Sequence, residues 1–339
     1  MDKSLLDITQ TFPTCSVLCI GDIMLDRFRY GEVTRISPEA PVPVLKITHE
    51  RTMLGGAGNV AANARALGCN TSILTVIGHD AEGEEIQKLL NEQGITAYCH
   101  KTNIRTTTKT RHLTGNTHLL REDLEDTVHL TKQERTKLNH QLNTLISQAD
   151  VLLLSDYNKG LLTPDLTQYI IKTARKYKKP VLVDPKGMDY SKYTGATLVK
   201  PNLKELSEVT GKVLSAETSA GLHEISIAAQ DLKHKHHIQN LIVTLGHKGM
   251  LAISRQPLLY VPTEAHEVFD VSGAGDTSLA TLGAVLAKTD SLTHAIRLAN
   301  ITAGMVVAKS GTATISAKEL QDHLGNNAPA LPKRTNERD

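Results

Sequence analysis

The 339-residue sequence predicts an α/β protein, a three-layer α/β/α domain with a mostly parallel central sheet and a small projecting β-sheet lid. Three observations predict it. From Val151 onward, short apolar runs alternate with helix-length segments, the pattern of parallel strands joined by crossover helices. Two glycine-rich turns, Gly55-Gly56-Ala57-Gly58 and Gly273-Ala274-Gly275, each lead into an apolar helix. Two further stretches, 31–50 and 102–123, alternate in polarity and are too polar for a buried sheet. The expected organisation is one domain over 1–330, with lid strands within about 28–54 and 102–123, and a polar tail over 331–339.

The elements follow in order. Residues 17–20 form an apolar run closed by Gly21-Asp22, a buried strand. Segment 31–50 holds Pro38, Pro41 and Pro43 and alternates through Val42, Val44 and Ile47, so it reads as extended, partly exposed strands. Residues 59–67 are Ala-rich and stop at Gly68, a helix. A buried strand at 72–77 closes at Gly78, and a helix at 83–91 ends at Gly94. Segment 102–123 reads as two antiparallel strands with Gly115-Asn116 at the turn. Strands then fall at 151–154, 181–184, 197–200 and 240–244, and helices at 166–177 and 219–233. A hairpin pair at 250–254 and 258–261 precedes apolar helices at 274–287 and 292–309.

Composition excludes several classes. Hydrophobic residues at 40% against 22% charged are enough to build a core, which excludes a disordered chain. Thirty-eight Lys and Arg against 36 Asp and Glu leave +2, no global attraction for nucleic acid or membrane. Cys15, Cys19, Cys69 and Cys99 form no Cys-x-x-Cys pair and read as small buried hydrophobes in a reducing compartment. The start of the chain carries Asp2 and Asp7 and no long apolar run, so neither a signal peptide nor a spanning helix is expected, and a cytoplasmic protein is.

Gly273-Ala274-Gly275-Asp276 follows a strand-like stretch and opens a helix. Glycines let the backbone turn tightly, and N–H groups at a helix start suit an anion. Asp276 in the first turn stands beside that anion, where a carboxylate can take a proton from a hydroxyl attacking phosphorus. A helix start with a favourable Asp and no ligand is the bland alternative. Gly56-x-Gly58-x-x-Ala61 also fits a dinucleotide-binding pattern, but 50–54 is a poor buried strand to precede it.

The full run Asp270-Val271-Ser272-Gly273-Ala274-Gly275-Asp276 resembles the C-terminal signature of the PfkB, or ribokinase-like, carbohydrate kinases. That resemblance implies a ribokinase-like fold, ATP and Mg²⁺, an anion hole at Gly273, Ala274 and Gly275, and Asp276 as base. Gly55-Gly56-Ala57-Gly58-Asn59 resembles the family's N-terminal signature, which implies that Gly55, Gly56 and Asn59 bind sugar hydroxyls, as does Asp26 after the first strand. Asn202-Leu203-Lys204-Glu205 resembles the Asn-x-x-Glu motif, with Asn202 near the nucleotide phosphates and Glu205 organising Mg²⁺ through water. Thr244, Gly246 and Gly249 resemble the nucleotide loop, and the helix near Asn300 the adenine wall.

Within the family, 35–44, 154–160 and 183–187 resemble the heptose 7-phosphate kinase branch. The implied reaction is ATP-dependent phosphorylation of D-glycero-D-manno-heptose 7-phosphate at C1 for lipopolysaccharide core synthesis. Members of that branch are often fused to an adenylyltransferase domain, whose activity is not expected from these residues. A substrate already phosphorylated needs cations, and Lys109, Arg111, Lys159 and Lys186 are the expected pool, with Arg105 and Arg121 nearby in the polar strands. The lid strands imply a homodimer. Another sugar, sugar-phosphate or nucleoside kinase, or a non-catalytic sensor on the same fold, stays open.

Overall fold

The computed structural model describes residues 3–115, 117–254, 258–263, 271, 273–309 and 311–326. Asp270, Ser272, Asn116 and the tail at 331–339 therefore lie outside the described residues. The strands are β1 (Ser16–Gly21), β2 (Ile23–Ile36), β3 (Pro43–Gly56), β4 (Asn70–Gly78), β5 (Thr96–Thr102), β6 (Thr108–Thr114), β7 (Thr117–Leu124), β8 (Val151–Ser155), β9 (Val181–Asp184), β10 (Leu198–Val199), β11 (Asn240–Thr244), β12 (Met250–Ile253) and β13 (Leu259–Val261). The helices are α1 (Lys3–Thr9), α2 (Ala57–Ala66), α3 (Ala81–Glu92), α4 (Lys132–Gln148), α5 (Pro164–Lys176), α6 (Leu203–Thr210), α7 (Ser219–Lys235), α8 (Ala274–Leu286), α9 (Leu292–Val306) and α10 (Ala317–Asn326).

Among the described residues, nine strands make the central sheet in the order β13-β12-β11-β10-β9-β8-β1-β4-β5. Pairing is parallel from β11 across to β5, and only β12 runs against its neighbours. Side chains alternate between two cores. Val17, Cys19, Val151 and Leu153 join α2, α8 and α9, whereas Leu18, Ile20, Leu152 and Leu154 join α4, α5 and α7. Because both faces are covered, these strands read as unbroken apolar runs. All four cysteines are free, and only Cys99 is not fully buried. Among the described residues, no helix is long and apolar enough to cross a membrane.

The second sheet has the order β3-β2-β6-β7 and is the expected lid. It begins earlier than the sequence suggested. β2 starts at Ile23, with only Asp22 between it and β1, and β3 runs on to Gly56. Residues 50–54 are thus strand, but in the antiparallel lid pair β2–β3, where a half-exposed register tolerates Glu50 and Arg51. A glycine-rich turn after such a strand is not a parallel βαβ unit. The dinucleotide reading therefore has no structural support. α1, β5, α4 and α10 are elements that the sequence reading did not include.

Chain order reverses around β1. The chain passes from β1 to β4 and β5 on one side, and to β8 through β11 on the other. The crevice at the C-terminal ends of β1 and β8 is the switch point where such sheets bind ligands. The lid hangs from the same end of β1.

Candidate active site

Among the described residues, seven helices, α3, α4, α5, α6, α7, α9 and α10, start with a side-chain cap, as Thr163 accepts the Leu166 N–H ahead of α5. α2 and α8 have none and are preceded by glycines with positive φ, Gly56 at 58° and Gly273 at 83°. The Ala57 N–H donates to Asp22 O at 3.0 Å and the Ala274 N–H reaches Val271 O at 3.4 Å, and the N–H groups that follow in each first turn are left to a ligand or to solvent. A side chain on Gly273 would also stand 2.9 Å from Asn59 Nδ2, so glycine is needed for space as well as for φ.

Asp276 lies in that first turn of α8 and is 5% exposed. Its Oδ2 accepts Asn59 Nδ2 at 2.7 Å and its Oδ1 accepts the Tyr157 hydroxyl at 3.3 Å. Thr277 Oγ1 donates to Asn63 Oδ1, and Asn63 Nδ2 donates to Asn59 Oδ1. The relay orients the Asn59 amide so that its nitrogen faces the carboxylate. Burial, and then the Asp184 charge, push the Asp276 carboxyl up to about 7, while Asn59, Lys200 and Tyr157 pull it back.

Asp26 is held on β2 beside the glycine turn. It is buried and ion-paired with Arg111 Nη1 at 2.6 Å, the guanidinium lying over the Phe28 ring. A Cβ on Gly55 would come within 2.4 Å of Asp26 Oδ2, and one on Gly56 within 2.4 Å of Asp22 O. The strand ends therefore meet only because those positions are glycine. Lys109 is in register with Asp26 on the adjacent β6, and its ammonium stands 5.6 Å from the Tyr157 ring centroid. Burial lowers the Lys109 pKa, and Asp26 partly offsets this. No ion pair engages Lys109 among the described residues, whereas Lys159 pairs with Glu125 at 2.6 Å and Lys186 with Glu205 at 2.9 Å.

Asp22 anchors the loop after β8. Its carboxylate accepts the N–H groups of Tyr157 and Lys159 at 3.0 Å and of Leu161 at 3.4 Å. This fixes Tyr157 against Asp276.

On the opposite side, Asn202 and Glu205 form a capping box at the start of α6. Glu205 Oε2 accepts the Asn202 N–H, and Oε1 accepts Lys186 Nζ. Leu203 is half-buried, while Lys204 points to solvent and reaches Glu208. Asn202 bridges to Thr244 at the end of β11, where Gly246 and Gly249 take positive φ in the turn to β12. Asn300 on α9 is buried and donates to Pro262 O at 2.7 Å. The structure thus gathers Asp276, Gly273, Asn59, Asp26, Gly55, Gly56, Lys109 and Arg111 around one crevice. It keeps Lys186 with Glu205, apart from the Lys109–Asp26 group.

Three further residues stand there that sequence reasoning gave no role. Lys200 is 2% exposed and pairs with Asp184 Oδ1 at 3.1 Å. A Cβ on Gly275 would lie 3.6 Å from Lys200 Nζ and 3.7 Å from Asp184 Oδ2, so both border the helix start. Tyr157 is the third. Each lies at or just past the C-terminal end of a parallel strand, and that position was the available signal.

The model of the pfkB family carbohydrate kinases matches residues 15–319. The chain is 45% identical over 323 residues to the bifunctional protein HldE of Caulobacter vibrioides, covering 94% of this chain and 65% of that one. It is 43% identical over 307 residues to the bifunctional protein HldE of Paramagnetospirillum magneticum, covering 90% and 62%. The chain thus spans about two-thirds or slightly less of the length of these relatives. Among solved structures, phosphofructokinase-2 from Escherichia coli in complex with substrates and products superposes with a TM-score of 0.76 at 23% identity, covering 92% of this chain and 98% of that one. Arabidopsis thaliana ribokinase complexed with ribose and ATP gives 0.71 at 21%, covering 91% and 98%. At those identities the likeness is one of fold.

Proposed function

The chain belongs to the pfkB family of carbohydrate kinases, and on that premise we propose that it transfers the γ-phosphoryl group of ATP to the C1 hydroxyl of D-glycero-D-manno-heptose 7-phosphate. The observation that carries the phosphotransfer is Asp276, a buried carboxyl with a pKa of about 7 at the uncapped start of α8. A base titrating near neutrality accepts a proton readily yet is ionised in a useful fraction of molecules. The sugar oxygen attacks the γ-phosphorus, and its proton passes to Asp276. The new C1–O–P linkage forms as the bridge to ADP breaks. The Gly273–Gly275 turn, with Lys200 beside Gly275, faces the charge on the transferring group, and the Ala274 N–H would turn to it from Val271 O, which it reaches at 3.4 Å.

Two features support a phosphorylated sugar. Lys109 is half-buried, adjacent to Asp26 and, among the described residues, in no ion pair, although the Asp26 and Asp123 charges act on it, which suits an anionic ligand. The relatives named bifunctional protein HldE share more than two-fifths of their aligned residues with this chain. Asp26, Asn59 and the Gly55–Gly56 backbone then take the sugar hydroxyls.

A magnesium ion fits the donor set at Glu205. This buried carboxylate is engaged once on each oxygen, leaving lone pairs for metal-bound water. When bound with ATP, the ion would neutralise phosphate charge. Asn202, Thr244, Gly246, Gly249 and Asn300 line the strand ends beyond it and are proposed for the nucleotide. The reading includes a cytoplasmic setting and a homodimer through the lid. The lid exposes Ile36, Val42, Ile47 and Leu120 at 49–61% of their surface, an apolar area that a second copy would cover.

The test is ADP release with heptose 7-phosphate, fructose 6-phosphate, ribose and a nucleoside at equal concentration. The heptose phosphate is expected to have the highest kcat/KM. Faster turnover of another member rejects that substrate, and no turnover of any rejects the kinase reading in favour of a sensor.

A further inference from the structure

Tyr157 makes contacts that no single role in binding explains. Its backbone is pinned by Asp22, its hydroxyl donates to Asp276 Oδ1, and its ring lies 3.4 Å from where a Gly56 Cβ would be. The ammonium of Lys109, carried on lid strand β6, stands over the same ring. Burial, and then the Asp276 charge, hold the phenol well above its ordinary range, so the hydroxyl remains a donor at any working pH. The lid and the base therefore meet at one side chain, Lys109 over its ring and Asp276 at its hydroxyl.

We propose that Tyr157 is a positioning residue that links the lid to the base: its hydroxyl fixes the Asp276 carboxylate, and its ring is the surface on which the lid's Lys109 settles. When β6 approaches, the cation over the ring polarises the phenol and strengthens its hydrogen bond. When β6 withdraws, that support weakens, and the base is least prepared while the site is open to water. The inference rests on Asp276 being the base. Other charges also reach this carboxyl and must be held constant. Asp184 from β9 and Lys200 after β10 face Asp276, Glu205 and Lys186 face Asp184, and Asp26 faces Tyr157 from β2.

The experiment is an NMR titration of ¹³C-carboxyl-labelled aspartates in the free full chain, with the Asp276 signal assigned by its loss in Asp276→Asn. Tyr157→Phe keeps the ring and its packing. It is expected to move the Asp276 midpoint to higher pH, because a hydrogen bond favouring the charged form is lost. Lys109→Met is expected to move that midpoint in the tyrosine background and to lose at least half of this effect in the phenylalanine background. An unchanged midpoint in Tyr157→Phe, or equal Lys109→Met effects in both backgrounds, overturns the proposal. The matching kinetic sign is a loss of kcat/KM roughly three- to tenfold larger at pH 6 than at pH 8.5 in Tyr157→Phe. A merely structural role would lower both equally. The titration uses no sugar, so it stands or falls independently of the heptose assignment.

Discussion

Asn59 Nδ2 sits 2.7 Å from Asp276 Oδ2, although 217 residues separate them in the chain. Asn59 lies in the first turn of α2, just after β3, and Asp276 in the first turn of α8, after the last strand β13. The two glycine motifs are therefore halves of one site, joined by a buried hydrogen bond, with α2 packed on α8. The relay from Thr277 through Asn63 sets the amide so that it can only donate to the carboxylate.

Replacing Asn59 with Leu removes that donor and takes from the Asn63 amide one of its two acceptors, leaving the Asn59 carbonyl at 2.9 Å. Asn59 lowers the Asp276 pKa, so the acid limb of the kcat/KM profile is expected to move upward. The loss of a buried network partner is expected to cost about 1–3 kcal/mol, read by urea unfolding. A profile that falls uniformly with pH would show that the bond does not set the base.

Asp276→Asn separates activity from stability. Turnover is expected to fall on the order of 10²–10⁴-fold with the fold retained. The folded carboxyl titrates near 7 against an ordinary 3.8, so the native state holds its proton where the unfolded chain has released it. Stability from this group is full below about pH 4, declines as pH rises through the window, and is lost above about 7. Asn cannot titrate. The variant is therefore expected to equal wild type near pH 3.5 and to exceed it at pH 8, by an amount on the order of 2–4 kcal/mol. Denaturant unfolding at both values checks this, and the other groups cancel in the difference.

Lys109 and Arg111 divide the work of the lid strand. Arg111 is committed to Asp26, with side chains 13% and 5% exposed. Arg111→Met is expected to destabilise by about 3–5 kcal/mol, since it leaves a buried charge unpaired. Lys109→Met removes no ion pair and is expected to leave Tm within a few degrees. It should raise KM for a phosphorylated sugar about 10–100-fold, with a smaller effect on an unphosphorylated one. Equal effects on both sugars would remove Lys109 from phosphate binding.

Much of this was legible in the sequence because the relevant signals are local. Gly273 and Gly56 advertise tight turns, and the run 151–154 reads as a strand because Leu152 and Leu153 each face a core. α4 was missed although a signal was there, Leu138, Leu142 and Leu145 at helical spacing behind a Thr131–Glu134 capping box, because its otherwise polar surface hid it. β5 was not, since it is an edge strand with Thr96 and Ala97 in solvent. Tyr157, Asp184 and Lys200 come from three separate segments at strand ends and share no spacing. Only the parallel order β10-β9-β8 brings them to the start of α8.

Lys200 and Asp184 form the pair whose removal should separate charge from structure at the start of α8. Burial raises the Asp184 pKa, and Lys200 is the first group that opposes this. Lys200→Met alone leaves Asp184 buried without its cation beside Asp276. Two losses are expected: lower stability, because a buried charge is unpaired, and a kcat reduced on the order of 10²-fold, because a cation facing the transferring phosphoryl is gone. Adding Asp184→Asn removes the uncompensated carboxylate and, with it, the second-largest influence raising the Asp276 pKa. The double variant is therefore expected to regain most of the lost stability and to bring the acid limb to lower pH, yet to keep the reduced kcat at its plateau. Recovery of kcat along with stability would mean that Lys200 serves only to neutralise Asp184 and not the transferring group.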